Sequence, residues 1–462
     1  LKKTDINKYS YVILGAGRSG FGAAKLLSKN GAKVFLSDNS PVDKLMYFDS
    51  KSLDDNNIPY EIGGHTDKIY DYDVFVKSPG IPMTNPVIEK ALSLKKRVIS
   101  EIEVAFWFCK CPVIAVTGTN GKTTTTVLTG EIFKNAGIDT KVCGNVGLAF
   151  SEVVASAKKN SLVVLEVSSF QLDSIESFKP AVSMFLTFTA DHIDWHGSME
   201  NYMAAKLKVN INQNNGDVII FNYDDEKIRQ QQQNFNANSL GFSSIENLEN
   251  TPLVSGCYVN GNEIIYFDRN SNEHSVIMRK DEIFIRGNHN LLNSLAAISA
   301  AKSFGVSNVV IENTLKIFKG VEHRIEPVRE LNGVKYYNDS KATNFDSLYV
   351  ALESFPQNIV LIMGGKKGDN KFELVEDFIV KRVKKLYAIG QSKNAIKDYF
   401  SGKVDLELAE TLDEAVAKSY GFAENGDVVL FSPGYKSFDM FDNFEHRGSE
   451  FKKSVNNLKS GK

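Results

Sequence analysis

The residues of this sequence that could do chemistry gather first between Val113 and Thr126, which reads V-I-A-V-T-G-T-N-G-K-T-T-T-T. A β-branched run ends at Thr117. Gly118, Thr119, Asn120 and Gly121 then make a turn, and Lys122, Thr123 and Thr124 open a segment able to be helical. Such a turn aims backbone N–H groups at an anion, the lysine adds a compact positive charge, and a threonine hydroxyl can ligate Mg²⁺. The spacing is shorter than G-x-x-x-x-G-K-[ST], because position 116 is Val and the first glycine is Gly118. A merely structural Gly/Thr-rich loop needs neither the lysine nor the hydroxyls, so the coincidence favours a nucleoside triphosphate site.

A second phosphate-type loop lies near the start. Tyr11–Leu14 is followed by Gly15, Ala16, Gly17, Arg18, Ser19 and Gly20, then an apolar-periodic helix through Leu27 and a strand from Ala32 to Ser37 ending at Asp38. Strand, G-x-G-x-x-G, helix, strand and acid is the order of a dinucleotide-binding unit. The motif says that a pyrophosphate can approach the backbone and leaves open what is attached to it. Taken alone it reads as NAD binding, or as a tight structural turn. Ser78, Pro79 and Gly80 form a sharp loop after the strand Tyr72–Lys77, at the end where α/β sheets bind ligands.

Further candidates close later strands. Leu162–Val167 carries Glu166 inside an apolar run, and a buried carboxylate is costly unless it is paired or holds a metal. Asn145 sits in the loop Gly144–Gly147. A strand from Val182 to Thr189 precedes Ala190-Asp-His-Ile-Asp-Trp-His196, where His192, in the same segment as Glu166 and Thr123, fits a Mg²⁺ shell with ATP phosphates. Lys206, on the helical stretch Tyr202–Leu207, reads by its surroundings as solvent-exposed.

These loops need parallel strands to bring them together, and the chain supplies three such units. At 462 residues it is long enough for roughly three domains. A Rossmann-like N-terminal unit covers 1–110. A central P-loop ATPase-like parallel sheet covers 111–320, with a β-rich addition from about Asn250 to Arg286 whose hairpin turn is expected at Asn260-Gly261. A C-terminal Rossmann-like α/β unit covers 321–462, where strands Val334–Asn338, Asn358–Met363, Lys385–Ile389 and Asp427–Phe431 each end in a polar loop. The fold class is α/β, with no residue-level repeat.

Composition excludes several classes. Hydrophobic residues at 42%, charged residues at 24% and a net charge of -2 describe a globular chain with no basic footprint for nucleic acid. No run approaches the ~20 apolar residues of a membrane span, and no apolar h-region opens the chain, so a cytoplasmic protein is expected. Cys109, Cys111, Cys143 and Cys257 form no zinc pattern and read as reduced, non-catalytic thiols.

T-G-T-N-G-K-T-T after a hydrophobic strand, Asp339-Ser-Lys-Ala-Thr-Asn344 and the stretch Ser432–Gly448 together resemble the Mur ligases, specifically those that add D-glutamate in peptidoglycan assembly. The resemblance implies ATP-dependent ligation of D-glutamate to UDP-N-acetylmuramoyl-L-alanine through an acyl phosphate, in a monomer. It assigns Gly15–Gly20, Asp38, Ser78–Gly80 and Asn145 to the UDP substrate rather than to NAD. It assigns Gly118–Thr124, Asn293, Arg324, Asp339 and Lys341 to ATP. Thr123, Glu166, His192 and Lys206 would hold two Mg²⁺ ions, Lys206 as a carbamate, and Lys122, His192 and Lys206 would be catalytic.

Thr343, Ser437, Phe444 and either Lys366 or Lys367 would bind D-glutamate. Lys367 is preferred because Gly368-Asp369 then aligns in a loop one residue shorter than the common form, while Lys436 replaces a residue that is often small. Three domains bringing one ligand each imply a mobile third domain. The alternatives are a sibling ligase for another amino acid, a folylpolyglutamate synthetase, an NAD-binding dehydrogenase and a nucleotide-regulated binding protein. The N-terminal Gly15–Asp38 unit has no place in the synthetase.

Overall fold

Val113–Thr117 is buried throughout because a strand flanked on both edges and covered on both faces must be apolar on both, which the alternating pattern of a half-exposed strand would not satisfy. In the computed structural model, which describes residues 3–45, 47–368 and 370–459, it is the hub of one of three sheets.

The first sheet contains β1 (Ser10–Leu14), β2 (Lys33–Asp38), β3 (Tyr60–Ile62), β4 (Val74–Lys77) and β5 (Arg97–Ser100) in the order β3-β2-β1-β4-β5. All its pairings are parallel. The order reverses between β1 and β4, whose carboxyl ends carry Gly15 and Ser78. Ligands enter α/β sheets at such a switch point.

The second sheet contains β6 (Val113–Thr117), β7 (Thr140–Gly144), β8 (Leu162–Glu166), β9 (Val182–Phe185), β10 (Val218–Asn222), β11 (Asn238–Ser243), β12 (Ser255–Asn260), β13 (Glu263–Asp268) and β14 (Glu273–Arg279). Its order is β14-β13-β12-β11-β10-β9-β6-β8-β7, parallel from β7 to β12 and antiparallel beyond. β6 lies between β8 and β9, so Gly118, Glu166 and Leu186 leave neighbouring strand ends. The third sheet contains β15 (Glu326–Leu331), β16 (Val334–Asn338), β17 (Ile359–Gly364), β18 (Val383–Ile389), β19 (Leu406–Leu408) and β20 (Val428–Phe431), ordered β15-β16-β20-β17-β18-β19.

The chain divides into two compact units. One runs up to Ile283 and includes Leu291–Lys316; the other joins Phe284–Asn290 to the chain from Ile317 onward. Within the first unit, both sheets contribute to one apolar cluster that includes Ile102, Trp107, Val113, Phe150 and Phe178. Glu103 lies inside this junction. Its side-chain oxygens accept the backbone N–H groups of Glu176, Ser177 and Phe178, together with the Trp107 Nε1–H, so a fully buried polar group is satisfied by fixed donors.

Two local expectations are corrected. The strand expected to reach Thr189 ends at Phe185, because Leu186 to Thr189 turn away to brace the glycine loop. The β12–β13 turn is centred on Gly261 and Asn262, with Asn260 still paired to Glu263. Gly261, with φ +60°, takes the first central position, and a glycine there is the II′ arrangement, where an Asn-Gly turn would have placed Asn260. Asp369, used to align the Lys366–Lys367 loop, lies outside the described residues.

Candidate active site

The glycine turn after β6 has the shape its sequence demands. Gly118 and Gly121 have φ +149° and +84°, and a Cβ on Gly121 would stand 2.3 Å from Asn293 Oδ1. The helix Lys122–Asn135 begins at once, with its first N–H groups facing the turn. Thr187 exchanges bonds with both backbone groups of Asn120, at 2.8 and 3.1 Å, and Thr119 Oγ1 reaches Thr189 O at 3.2 Å. Thr119 and Thr123 to Thr126 are buried. Asn293, from the helix Asn288–Ser303, accepts from Thr125 Oγ1 at 3.2 Å, which places it against the loop.

Lys122 Nζ folds back onto Gly118 O and Thr119 O, at 2.8 and 2.7 Å. Lys206 Nζ donates to the same Gly118 O and lies 4.5 Å from the Tyr202 ring centroid. The reading of Lys206 as solvent-exposed is overturned: it is 1% exposed, because the helix Met199–Leu207 turns that face toward the loop. Burial, and then the Lys122 charge, hold its pKa far below the usual lysine value.

Glu166, at the end of β8, is 1% exposed. Its Oε1 accepts Asn145 Nδ2 at 2.8 Å, while Oε2 has no hydrogen-bond partner among the described residues. A buried carboxylate oxygen left without a donor is what a cation would satisfy. His192 is at φ +53° and half-exposed, donates its N–H to Asp191 Oδ1 at 3.0 Å and lies edge-on to Phe170 at 4.9 Å. No hydrogen bond ties it to Glu166.

The N-terminal loop reaches the same region. A Cβ on Gly15 would lie 2.4 Å from Ser78 Oγ, and one on Gly20 would lie 1.9 Å from Gly15 O, so the loops after β1 and β4 touch. Asp38 Oδ2 accepts Ala16 N–H at 2.6 Å and Oδ1 accepts Ser40 N–H at 2.7 Å. The acid therefore shapes the glycine loop from within. Arg18 stacks on Tyr47, donates to its hydroxyl and donates to the carbonyl of Gly147, two residues past Asn145. A continuous path thus runs from Gly15 and Ser78 through Arg18, Gly147 and Asn145 to Glu166.

The second unit gathers the remaining candidates. Asp339, at the end of β16, accepts Ser432 Oγ at 2.7 Å and Ile325 N–H at 3.2 Å. Burial raises its pKa to about 7, opposed by the Ser432 bond and the Arg324 charge. Lys341 Nζ lies 5.3 Å from the Phe444 ring centroid, and Ser340 Oγ donates to Phe444 O. Ser437 is buried, Thr343 is half-buried, and Lys366 and Lys367 are exposed, with Lys366 N–H donating to Lys436 O.

Three families of domain match this chain: the MurD N-terminal domain over residues 11–87, the Mur ligase middle domain over 116–301 and the Mur ligase glutamate ligase domain over 323–434. The chain belongs to the Mur ligase family. It is 39% identical over 98% of its length to a UDP-N-acetylmuramoylalanine–D-glutamate ligase of Salinibacter ruber, covering 99% of that protein. It is 42% identical over 97% of its length to the one of a Thermoanaerobacter species, covering 98%. Among solved structures, UDP-N-acetylmuramate-alanine ligase MurC of Thermotoga maritima superposes with a TM-score of 0.60 at 20% identity, covering 98% of this chain and all of that one, which speaks for the fold.

Within this Mur ligase, sequence reading missed three groups that touch the site. Thr187 grips the phosphate loop, and only the alternation of Thr187 and Thr189 hinted at it. Tyr202, whose hydroxyl lies 3.3 Å from Thr119 Oγ1, reads as an ordinary core aromatic. Arg447 is 1% exposed and donates to Ser340 O, Ser340 Oγ and Tyr435 O, so it ties the Asp339–Asn344 turn to the Ser432–Ser437 loop. Nothing local distinguishes it from a surface arginine on an amphipathic helix.

Proposed function

We propose that the protein joins D-glutamate to UDP-N-acetylmuramoyl-L-alanine at the expense of ATP, releasing ADP and phosphate, in peptidoglycan precursor synthesis. Identity of 39–42% across nearly the whole chain to relatives bearing that activity in their names carries this reading.

The L-alanine carboxylate attacks the γ-phosphorus of ATP, so an acyl phosphate forms and ADP leaves. The amine of D-glutamate then attacks the acyl carbon, and phosphate leaves in place of an oxide that could not. No protein nucleophile is required. Lys122 exchanges its two loop carbonyls for phosphate oxygens, and the backbone from Gly121 into the first turn of the helix Lys122–Asn135 supplies N–H donors, those of Thr119 and Asn120 being held by Thr187, so positioning and electrostatics carry the step.

Thr123 and Glu166 are suited to hold Mg²⁺, with the orphaned Glu166 Oε2 as the observation in favour, and His192 and Lys206 complete the proposed set. Bound there, Mg²⁺ would offset negative charge on the transferring phosphoryl group. An uncharged Lys206 amine is the form that can take up carbon dioxide, which supports its proposed carbamylation. Gly15–Gly20, Asp38, Ser78–Gly80 and Asn145 form the proposed UDP-substrate track, with Asp38 acting through the loop. Asn293, Arg324, Asp339 and Lys341 are assigned to ATP, and Thr343, Lys367, Ser437 and Phe444 to D-glutamate. A monomer working in the cytoplasm goes with this reading. Among the described residues no helix is long and apolar enough to cross a membrane.

Phosphate release from Mg-ATP and UDP-N-acetylmuramoyl-L-alanine, with D-glutamate, L-glutamate, L-lysine or D-alanine in turn, tests it. Release with D-glutamate alone is expected. Release with another amino acid would make the protein a sibling ligase, and release with none would reopen the N-terminal loop as a dinucleotide site.

A further inference from the structure

The segment joining the helix Glu101–Phe108 to β6 is Cys109-Lys110-Cys111-Pro112. Cys109 Sγ lies 3.7 Å from Cys111 Sγ and 3.3 Å from the Cys111 carbonyl oxygen. Both cysteines are half-buried at the edge of the core shared by the first two sheets, whereas Cys143 and Cys257 are buried. A sulfur–sulfur separation of 3.7 Å is van der Waals contact. Closing it to the ~2 Å of a disulfide takes side-chain rotation in a segment that belongs to neither the helix nor the strand.

The two thiols are unequal. A hydrogen bond with Cys111 draws the Cys109 thiol down to about 7 against the opposing effect of burial, and the same bond pushes the Cys111 thiol up. Cys109 is therefore suited to attack and Cys111 to resolve. No group of three or more potential metal ligands among the described residues includes either sulfur. The ligation chemistry uses neither.

We propose that Cys109 and Cys111 form a reversible dithiol–disulfide site that exchanges with small-molecule disulfides. The Cys109 thiolate attacks one sulfur of RS–SR: a Cys109–SR bond forms, the reagent's S–S bond breaks, and RS⁻ leaves with the electron pair. Cys111, giving its proton to the released thiolate, attacks the Cys109 sulfur. The Sγ–Sγ bond forms and a second RS⁻ leaves, taking a proton from solvent to replace the one Cys109 gave up on ionising. The protein loses two electrons and two protons, and the reagent becomes two thiols.

The site lies at the amino end of β6, Cys111 standing just ahead of Pro112 and Val113, on a linker anchored through Glu103 at one side and the phosphate-loop strand at the other. It is thus a covalent clip at the opposite end of β6 from the nucleotide loop, and no part of that loop.

The test treats the whole protein with oxidised glutathione, quenches with acid, and reads intact mass and peptide maps for the wild type, C109S and C111S. Phosphate release by each variant reports that it is folded. The expected result is a loss of about 2 Da within the Cys109–Cys111 peptide, no retained glutathione, and full reversal by dithiothreitol. C111S should trap one glutathione on Cys109, and C109S should react roughly tenfold more slowly or less. A wild type that keeps glutathione without closing, oxidation at Cys143 or Cys257 instead, or equal rates for the two variants would overturn the proposal.

Discussion

Lys122 Nζ and Lys206 Nζ donate to one and the same oxygen, the carbonyl of Gly118, each at 2.8 Å. One lysine starts the helix after the loop and the other arrives from eighty-four positions further along the chain. Their convergence gives the loop its electrostatic character. The charge of Lys122 is one of the two forces that press the buried Lys206 toward the neutral amine, after burial itself.

Replacing either lysine should separate activity from folding. Lys122→Met is expected to lower ATP-dependent phosphate release by about 10²–10³-fold, the scale of one lost transition-state donor. Lys206→Met should abolish release while leaving the melting temperature equal to or above that of the wild type, since it removes an amine whose charged form burial disfavours. A large fall in melting temperature for Lys206→Met would mean that the bond to Gly118 O is structural.

Glu166→Gln keeps the size of the side chain and an acceptor for Asn145. Circular dichroism and melting should be near wild type, while the Mg²⁺ concentration for half-maximal phosphate release rises roughly tenfold or more, the effect of losing a charged ligand. Chelation of divalent ions should silence the wild type. An unchanged Mg²⁺ requirement in the variant would remove Glu166 from the proposed metal set.

The two glycine loops can be probed by contrast. Gly17 has φ -74° and a Cβ there meets nothing within 4 Å, so Gly17→Ala should melt like the wild type. If a diphosphate approaches that backbone, the KM for the UDP substrate should nevertheless rise by about tenfold or more. Gly20→Ala, whose Cβ would be 1.9 Å from Gly15 O, should instead destabilise the fold by several kcal/mol, on the order of an overpacked core. Equal KM values for Gly17→Ala and the wild type would count against a substrate at this loop.

Glu101 supplies a pH dependence independent of catalysis. Its Oε1 accepts Ser151 N–H at 2.6 Å, its Oε2 has no hydrogen-bond partner among the described residues, and burial raises its pKa to about 7. The folded state therefore holds a proton that the unfolded chain releases near 4.5, the ordinary value. Its contribution is fully present below that value and is lost as pH rises through about 7, with a slope of at most about 1.4 kcal/mol per pH unit. Urea unfolding at pH 5 and pH 8 should show the wild type losing more stability across this interval than Glu101→Gln. Equal losses would place the titration elsewhere, Asp339 being the other buried carboxyl raised to about 7.

Much of this molecule is legible in its sequence because some chemistry is decided by neighbours along the chain. A β-branched run followed by Gly118, Gly121 and Lys122 leaves few conformations open, and the required positive φ values fall on the glycines. The same holds for Gly15-Ala-Gly17-Arg-Ser-Gly20 between two strands, and for the alternation that made each of three units an α/β sheet. Local pattern also placed Glu166 at a strand end, where a carboxylate in an apolar run is conspicuous.

Tertiary structure decided what depends on distant partners. Lys206 is buried because its helix packs across the loop from Gly118, a fact absent from the polarity of its own neighbours. Asp38 braces Ala16 and Ser40, Thr187 grips Asn120, and Arg447 joins the loop at Ser340 to the loop at Tyr435. The strand that begins at Val182 stops early for the same reason, since Thr187 and Thr189 bond to Asn120 and Thr119 of the phosphate loop. Burial, pKa and the pairing of polar atoms are properties of the space around a side chain, and that space is furnished by elements the local sequence does not contain.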